Sequence, residues 1–283
     1  MATGKSGAKK RKGARSRAQA AAVAGGTGDA SGSAAIEVRE AEPLSVAEAA
    51  AAVPAAGDTD PGRTAVRGEG GGGVGAKEEG AVSPFERATT LEAEGDIEGA
   101  AKAYRAVLLS EPGHVEARLR LGLILERAGE PEQALEQYEA ARVAAPDDPD
   151  VLARTASALL ALRRFEAAER NLRRAQRVDP NRAEIYVLLG IILFRRGLYS
   201  QAEAELKRAI ALDPESATAY AYRGEALNQL GRVDEALAAL MRAVELDPSN
   251  ARAYYTMGIV YDRKHMREEA AAMYRKAREL GGR

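Results

Sequence analysis

From residue 84 onward, apolar residues recur at helical spacing, and the whole pattern restarts every 34 residues. The clearest marks of the restart are Pro112, Pro146, Pro180, Pro214 and Pro248. With that proline as position 32, six units begin at residues 81, 115, 149, 183, 217 and 251. Positions 4, 7, 8 and 11 share one face of a first helix, and positions 20, 24, 27 and 30 share one face of a second. Position 8 is small in every unit: Ala88, Gly122, Ala156, Gly190, Gly224 and Gly258. Position 20 is Ala100, Ala134, Ala168, Ala202, Ala236 and Ala270. Small residues there let two helix backbones approach, and Leu or Tyr at positions 11 and 24 fills the adjoining space. Glycine at position 15 (Gly95, Gly129, Gly197, Gly231) ends the first helix, and the proline ends the second. A long coiled coil is excluded, because a proline interrupts every unit.

The first 80 residues have no such pattern. They contain no Tyr, Phe or Trp, and they include the run GEGGGGVG from Gly68 to Gly75. A chain of this kind cannot bury enough apolar surface to offset its conformational entropy, so residues 1–80 are predicted to be a disordered tail. One island departs from this. In LSVAEAAAAV, Leu44–Val53, Ser45 and Glu48 form a capping-box pattern between Pro43 and Pro54, which predicts a short transient helix.

Charge narrows the classes of function. The chain of 283 residues has a net charge of −1, which favours neither nucleic acid nor a membrane surface as a whole. The tail is segregated: residues 1–17 hold seven basic residues and no acids, and residues 18–80 hold ten acids and four basic residues. A solubilising tail accounts for this. A weak contact of residues 9–17 with nucleic acid or another anionic surface stays open. The apolar stretch after that basic run is too short and too Ala-rich for a secretory signal, and no run is long enough to span a membrane. The chain has no cysteine, which excludes disulfides and thiolate chemistry and fits a cytoplasmic location. Its two histidines, His114 and His265, form no metal pair, and no nucleophile–base constellation is present. Neither catalysis nor a cofactor or metal is expected. Two phosphate-loop look-alikes, at Gly4–Ser6 and Gly70–Lys77, lack the required glycines and flanking elements.

The register of small residues at 8 and 20 with proline at 32 resembles the tetratricopeptide repeat family over about residues 81–283. The resemblance implies an all-α fold, a right-handed α-solenoid of tandem helix–turn–helix repeats preceded by the disordered tail. The repeats are expected at 81–114, 115–148, 149–182, 183–216, 217–250 and 251–283. Departures are Pro84 and Arg118 at position 4, Arg87, Thr155 and Arg223 at position 7, and Arg163 and His265 at position 15. The first unit therefore reads as a cap.

In this family, positions 2, 5, 6, 9, 12 and 13 line a concave groove. The resemblance then names as groove candidates Leu119, Arg120, Leu123, Arg127, Arg154, Val187, Ile191, Phe194, Arg195, Tyr222, Tyr255 and Ile259. An apolar groove carrying guanidinium donors suits an extended or helical peptide with acidic groups. The expected function is a non-enzymatic scaffold or adaptor that binds a protein segment in the groove. The paired Lys and Asn of chaperone-tail clamps at positions 5 and 9 are absent, and so is an asparagine ladder at position 6. Two other readings stay open: an adaptor tethered to nucleic acid by the basic arm, and a structural protein that self-associates through its C-terminal repeat, where Leu280, Met273 and Tyr274 offer apolar surface.

Overall fold

A computed structural model describes residues 82–281. The basic arm 9–17, the Leu44–Val53 island and the glycine run 68–75 lie outside the described residues. Twelve helices follow one another among the described residues, and no strand is present there. They are α1 Pro84–Ala93, α2 Ile97–Ser110, α3 Val115–Arg127, α4 Pro131–Ala144, α5 Pro149–Ala161 and α6 Phe165–Val178. The series continues with α7 Ala183–Arg195, α8 Tyr199–Leu212, α9 Ala217–Gln229, α10 Val233–Leu246, α11 Ala251–Arg263 and α12 Arg267–Glu279. Each odd helix packs on the even helix that follows it, and each pair packs on the next, giving an α-solenoid. The longest helices have 14 residues, short of the roughly 20 needed to cross a bilayer, and no described helix is long and apolar enough to do so.

One turn recurs in all six pairs. The backbone N–H of position 16 donates to the carbonyl of position 11 at 2.8–3.0 Å, from Asp96→Leu91 through Met266→Tyr261. This is the closing bond of a Schellman turn, which requires a left-handed residue just before it. Four units place glycine there, at φ between 74° and 83°. Arg163 and His265 adopt the same conformation at 58° and 60°, so these two units hold a strained non-glycine in a glycine's place.

The proline turns between pairs are sealed differently. Tyr186 at position 4 donates its hydroxyl to the Pro180 carbonyl at 2.7 Å. Arg118 at the same position donates Nε and Nη2 to the Pro112 carbonyl at 2.9 and 2.7 Å, which explains a cation at a normally bulky apolar position. Pro84 is the first-turn residue of α1, behind a complete capping box between Ser83 and Glu86. Ser216 and Asn250 cap α9 and α11 through bonds to Ala219 N at 3.4 Å and Ala253 N at 2.9 Å.

Within each pair the helices meet at positions 8, 20 and 24. A Cβ added at Gly190 would lie 2.4 Å from Leu206 Cγ, and one at Gly258 would lie 2.4 Å from Tyr274 Cε1. Those two glycines are required by close approach. All six position-20 alanines are buried.

A second intra-pair device is confined to the units with Tyr at position 24. Tyr104 donates its hydroxyl to Glu92, Tyr138 to Glu126 and Tyr274 to Asp262, each at 2.7 Å. In every case the acceptor is position 12 of the same unit. Where position 24 is Leu172, Leu206 or Leu240, position 12 is Leu160, Phe194 or Asn228. A buried phenol needs an acceptor and a buried leucine does not, so the two positions change together.

Candidate functional site

The inner helices α1, α3, α5, α7, α9 and α11 carry the groove positions, and their environments differ along the solenoid. Between α3 and α5 lies an open cleft of about 180 Å³, lined by Glu116, Leu119, Arg120, Leu123, Asp150 and Arg154. Four of the twelve groove candidates therefore converge there, from two successive repeats. Arg120 is held loosely between Glu92 at 3.8 Å and Glu116 at 3.7 Å, so its guanidinium remains available for rearrangement. Arg127 is exposed at the end of α3. A larger cavity of about 520 Å³ lies along α1, lined by Val82, Arg87, Thr90, Leu91 and Glu94, and includes none of the groove candidates.

Beneath the cleft runs a polar seam. Glu126 is 1 % exposed and accepts from the Tyr138 hydroxyl. Burial pushes its carboxyl above the usual range, while bonds from Tyr138 and Ser157 and the charge of Arg154 pull it back. Glu184, at position 2 of the next unit, is also pushed up by burial and is opposed chiefly by Arg182, whose Nε lies 3.1 Å away. Arg154 acts electrostatically on both carboxylates and is 6 % exposed.

The middle of the solenoid is closed. Val187, Ile191, Phe194 and Tyr222 all lie in one core cluster, with Ile191 fully buried. Phe194 meets Tyr222 edge-on at 6.0 Å. Arg195 is partly buried at the end of α7. Arg252 stacks over the Tyr222 ring at 4.7 Å, donates to its hydroxyl at 3.0 Å, and binds Glu225 at 2.7 Å. Arg263 donates to the Asn228 carbonyl at 2.6 Å. At the far end the face opens again: Tyr255 is 44 % exposed beside Tyr274 at 5.5 Å, and Ile259 is half-buried. Met273, Tyr274 and Leu280 are also half-buried at this end.

The candidates thus fall into three places: a cleft at α3–α5, a closed centre, and an open end at α11. Reading the sequence alone missed Glu126, Ser157, Glu184, Glu225, Asn228 and Arg252, which form polar contacts at groove positions. The available signal was a polar residue at those positions in otherwise apolar helices, as in LGLILER.

A family model described as the Cilia and flagella-associated protein 70 C-terminal domain matches residues 37–283. No curated protein matches. Among solved structures, MamA (residue 41 to the end) from Desulfovibrio magneticus RS-1 is 24% identical, with a TM-score of 0.52 over 59% of this chain and 94% of that one. PilF of Pseudomonas aeruginosa is 19% identical, with a TM-score of 0.61 over 70% of this chain and 90% of that one. A tetratricopeptide repeat protein from Parabacteroides merdae ATCC 43184 is also 19% identical, with a TM-score of 0.58 over 70% and 77%. At these identities the likeness is one of fold.

Proposed function

The chain belongs to the family of the Cilia and flagella-associated protein 70 C-terminal domain and is built of tetratricopeptide repeats, and from that premise we propose that it is a non-enzymatic scaffold whose inner helix face binds a segment of another protein. The observation that carries this reading is the α3–α5 cleft. It is the place where apolar and guanidinium groove candidates from two repeats meet around open space. Leu119 offers apolar contact, with the nearly buried Leu123 lining the cleft beside it. Arg120, with Arg127 beyond the cleft, offers planar donors suited to a carboxylate. Glu116 and Asp150 on the rim offer acceptors to backbone N–H groups or a basic side chain. An extended or one-turn helical segment with an apolar residue next to an acidic one satisfies this set.

The test replaces residues that are partly exposed, so that folding is retained. In the double variant Leu119→Glu and Arg120→Glu, stability should stay within about 1 kcal/mol of wild type, as for surface positions. Partners captured by the full chain and identified by mass spectrometry should be lost. Capture of the same partners by a variant with wild-type circular dichroism removes the cleft from the reading.

A further inference from the structure

Each outer helix has a stripe that faces away from its inner partner, at positions 18, 22, 25, 26 and 29. In repeats three to six, position 26 of this stripe is always a cation: Arg174, Arg208, Arg242 and Lys276. Position 29 is Arg177, Ala211, Glu245 and Glu279, with no large apolar residue. In the first two repeats both positions turn apolar together, as Ala106 and Ala140 at 26 and Leu109 and Val143 at 29. Leu109 on α2 is 86 % exposed and Val143 on α4 is 83 % exposed, more than any other large apolar residue among the described residues. Single exposed apolar residues are ordinary, but two at one register position in adjacent repeats form a patch. Side chains on successive outer helices reach one another, as Arg173 on α6 and Glu205 on α8 do at 2.6 Å, so the two halves of the patch are continuous. The charges beside it are opposite at equal heights. Positions 22 and 25 are Lys102 and Arg105 on α2, but Glu136 and Glu139 on α4. These four do not pair with one another within the chain. Lys102 binds Glu98 and Arg142 binds Glu139, each within one helix at the surface, while Arg105 and Glu136 make no ion pair. Such exposed pairs are weak and exchange readily.

We infer that this face of α2 and α4 is a two-fold interface with a second copy of the chain. Successive outer helices run in the same direction, because one inner helix separates them in sequence. A two-fold axis parallel to α2 and α4 and midway between them lays α2 of one copy over α4 of the other, with equal positions at equal heights. Leu109 then meets Val143 of the other copy, and Ala106 meets Ala140. The flanking pairs become Lys102 with Glu136 and Arg105 with Glu139, each formed twice. An axis across the helices would instead set α4 on α4 and bring its acids together. The like charges Glu98 and Glu132 at position 18 lie about 16 Å along the helix from Leu109 and Val143, at the edge of the contact, where solvent screens them. A patch of two helix widths by one helix length, about 20 Å by 20 Å, buries about 800 Å² over both copies, which is the size of a weak and reversible dimer. Its dissociation constant is expected at roughly 10–100 μM. The α3–α5 cleft lies on the inner helices and stays open, so the dimer carries two clefts and gains avidity for a partner that offers two segments.

Sedimentation equilibrium of the full chain, at about 150 mM salt and from roughly 1 to 500 μM protein, should show the mean mass rising from monomer toward dimer and no further. The double variant Leu109→Glu and Val143→Glu gives both positions the residue that Glu245 and Glu279 already place there in repeats five and six. Its circular dichroism and urea unfolding should match wild type while its mass stays monomeric. Lys102→Glu should weaken the dimer about tenfold, because two pairs turn repulsive at once, and adding Glu136→Lys should restore it. A monomer throughout that range overturns the inference. So does association that persists in the Leu109→Glu and Val143→Glu variant, or that grows beyond two copies. Equal dimerisation by wild type and Lys102→Glu overturns the two-fold pairing. The Leu119→Glu and Arg120→Glu variant should dimerise as wild type does, so the cleft reading and this one fail separately.

Discussion

The tyrosine–carboxylate pairs provide three copies of one interaction at graded burial, and removing the hydroxyl from each tests the physical account. Tyr138 is fully buried and donates to Glu126, which is 1 % exposed. Tyr104 is buried, but its acceptor Glu92 is partly open, and the half-buried Tyr274 donates to an exposed Asp262. Tyr→Phe keeps the ring and leaves the carboxylate without its donor. A buried hydrogen bond to a charged group is worth about 1.5–3 kcal/mol, so Tyr138→Phe should cost that much. Tyr104→Phe should cost about 1 kcal/mol and Tyr274→Phe about 0.5 kcal/mol or less. Terminal repeats unfold more readily in a solenoid, and this alone would rank the middle unit first. The dependence on pH separates the two explanations. Burial raises the Glu126 carboxyl above the usual range, so the folded state holds its proton more tightly than the unfolded chain does. Glu126's own contribution to stability is then full below the ordinary carboxylate range and is lost as pH rises through its raised value. While Glu126 is protonated, the Tyr138 bond joins two neutral groups and is worth only about 0.5–1.5 kcal/mol. The cost of Tyr138→Phe should therefore grow as pH rises through that window. The assay is urea unfolding followed by circular dichroism at pH 4.5 and 7.5. Equal costs for all three variants, or a Tyr138→Phe cost that shrinks at the higher pH, would refute the reasoning.

Two further substitutions test the packing and the turns. Ala236→Leu places a branched side chain where α9 and α10 touch, next to Gly224, whose added Cβ would already meet Leu240 Cγ at 2.5 Å. It should cost about 1–3 kcal/mol in chemical denaturation, and a neutral result would mean that the helix interface is misassigned. Arg163→Gly relieves a left-handed arginine held at φ 58°. It should stabilise the protein by about 1 kcal/mol despite the added freedom of the unfolded chain, and a loss of stability would show that the arginine side chain contributes more than its backbone strain removes.

The helices were legible in the sequence because the repeat amplifies a weak local signal six times. No single window of this Ala-rich chain is decisive, but Pro112 to Pro248 at one interval fix a register that places every helix end. Even the departures from the pattern proved readable by position. Arg163 and His265 stand at the glycine position and take the glycine conformation. Arg118 stands at a bulky position and seals the turn that Tyr186 seals in another unit. The pairing of positions 12 and 24 was not read, because scanning each position down the units treats it independently. Tyr138 and Glu126 carry their meaning only together.

The candidate site was less legible, for a physical reason. A groove position specifies a direction, not access to solvent. Val187 and Tyr255 hold the same position 5 of their units, yet one is 3 % exposed and the other 44 %. The direction follows from helix period and is local in sequence. Access depends on whatever else reaches that side of the helix, which the repeat does not encode. In a solenoid each unit contacts only its neighbours, so α7, flanked by the inner helices α5 and α9, is covered on both sides, while α11 has a described inner helix beside it on one side only. The variation in exposure among equivalent positions thus follows from place in the array, which a register counted within one unit does not carry.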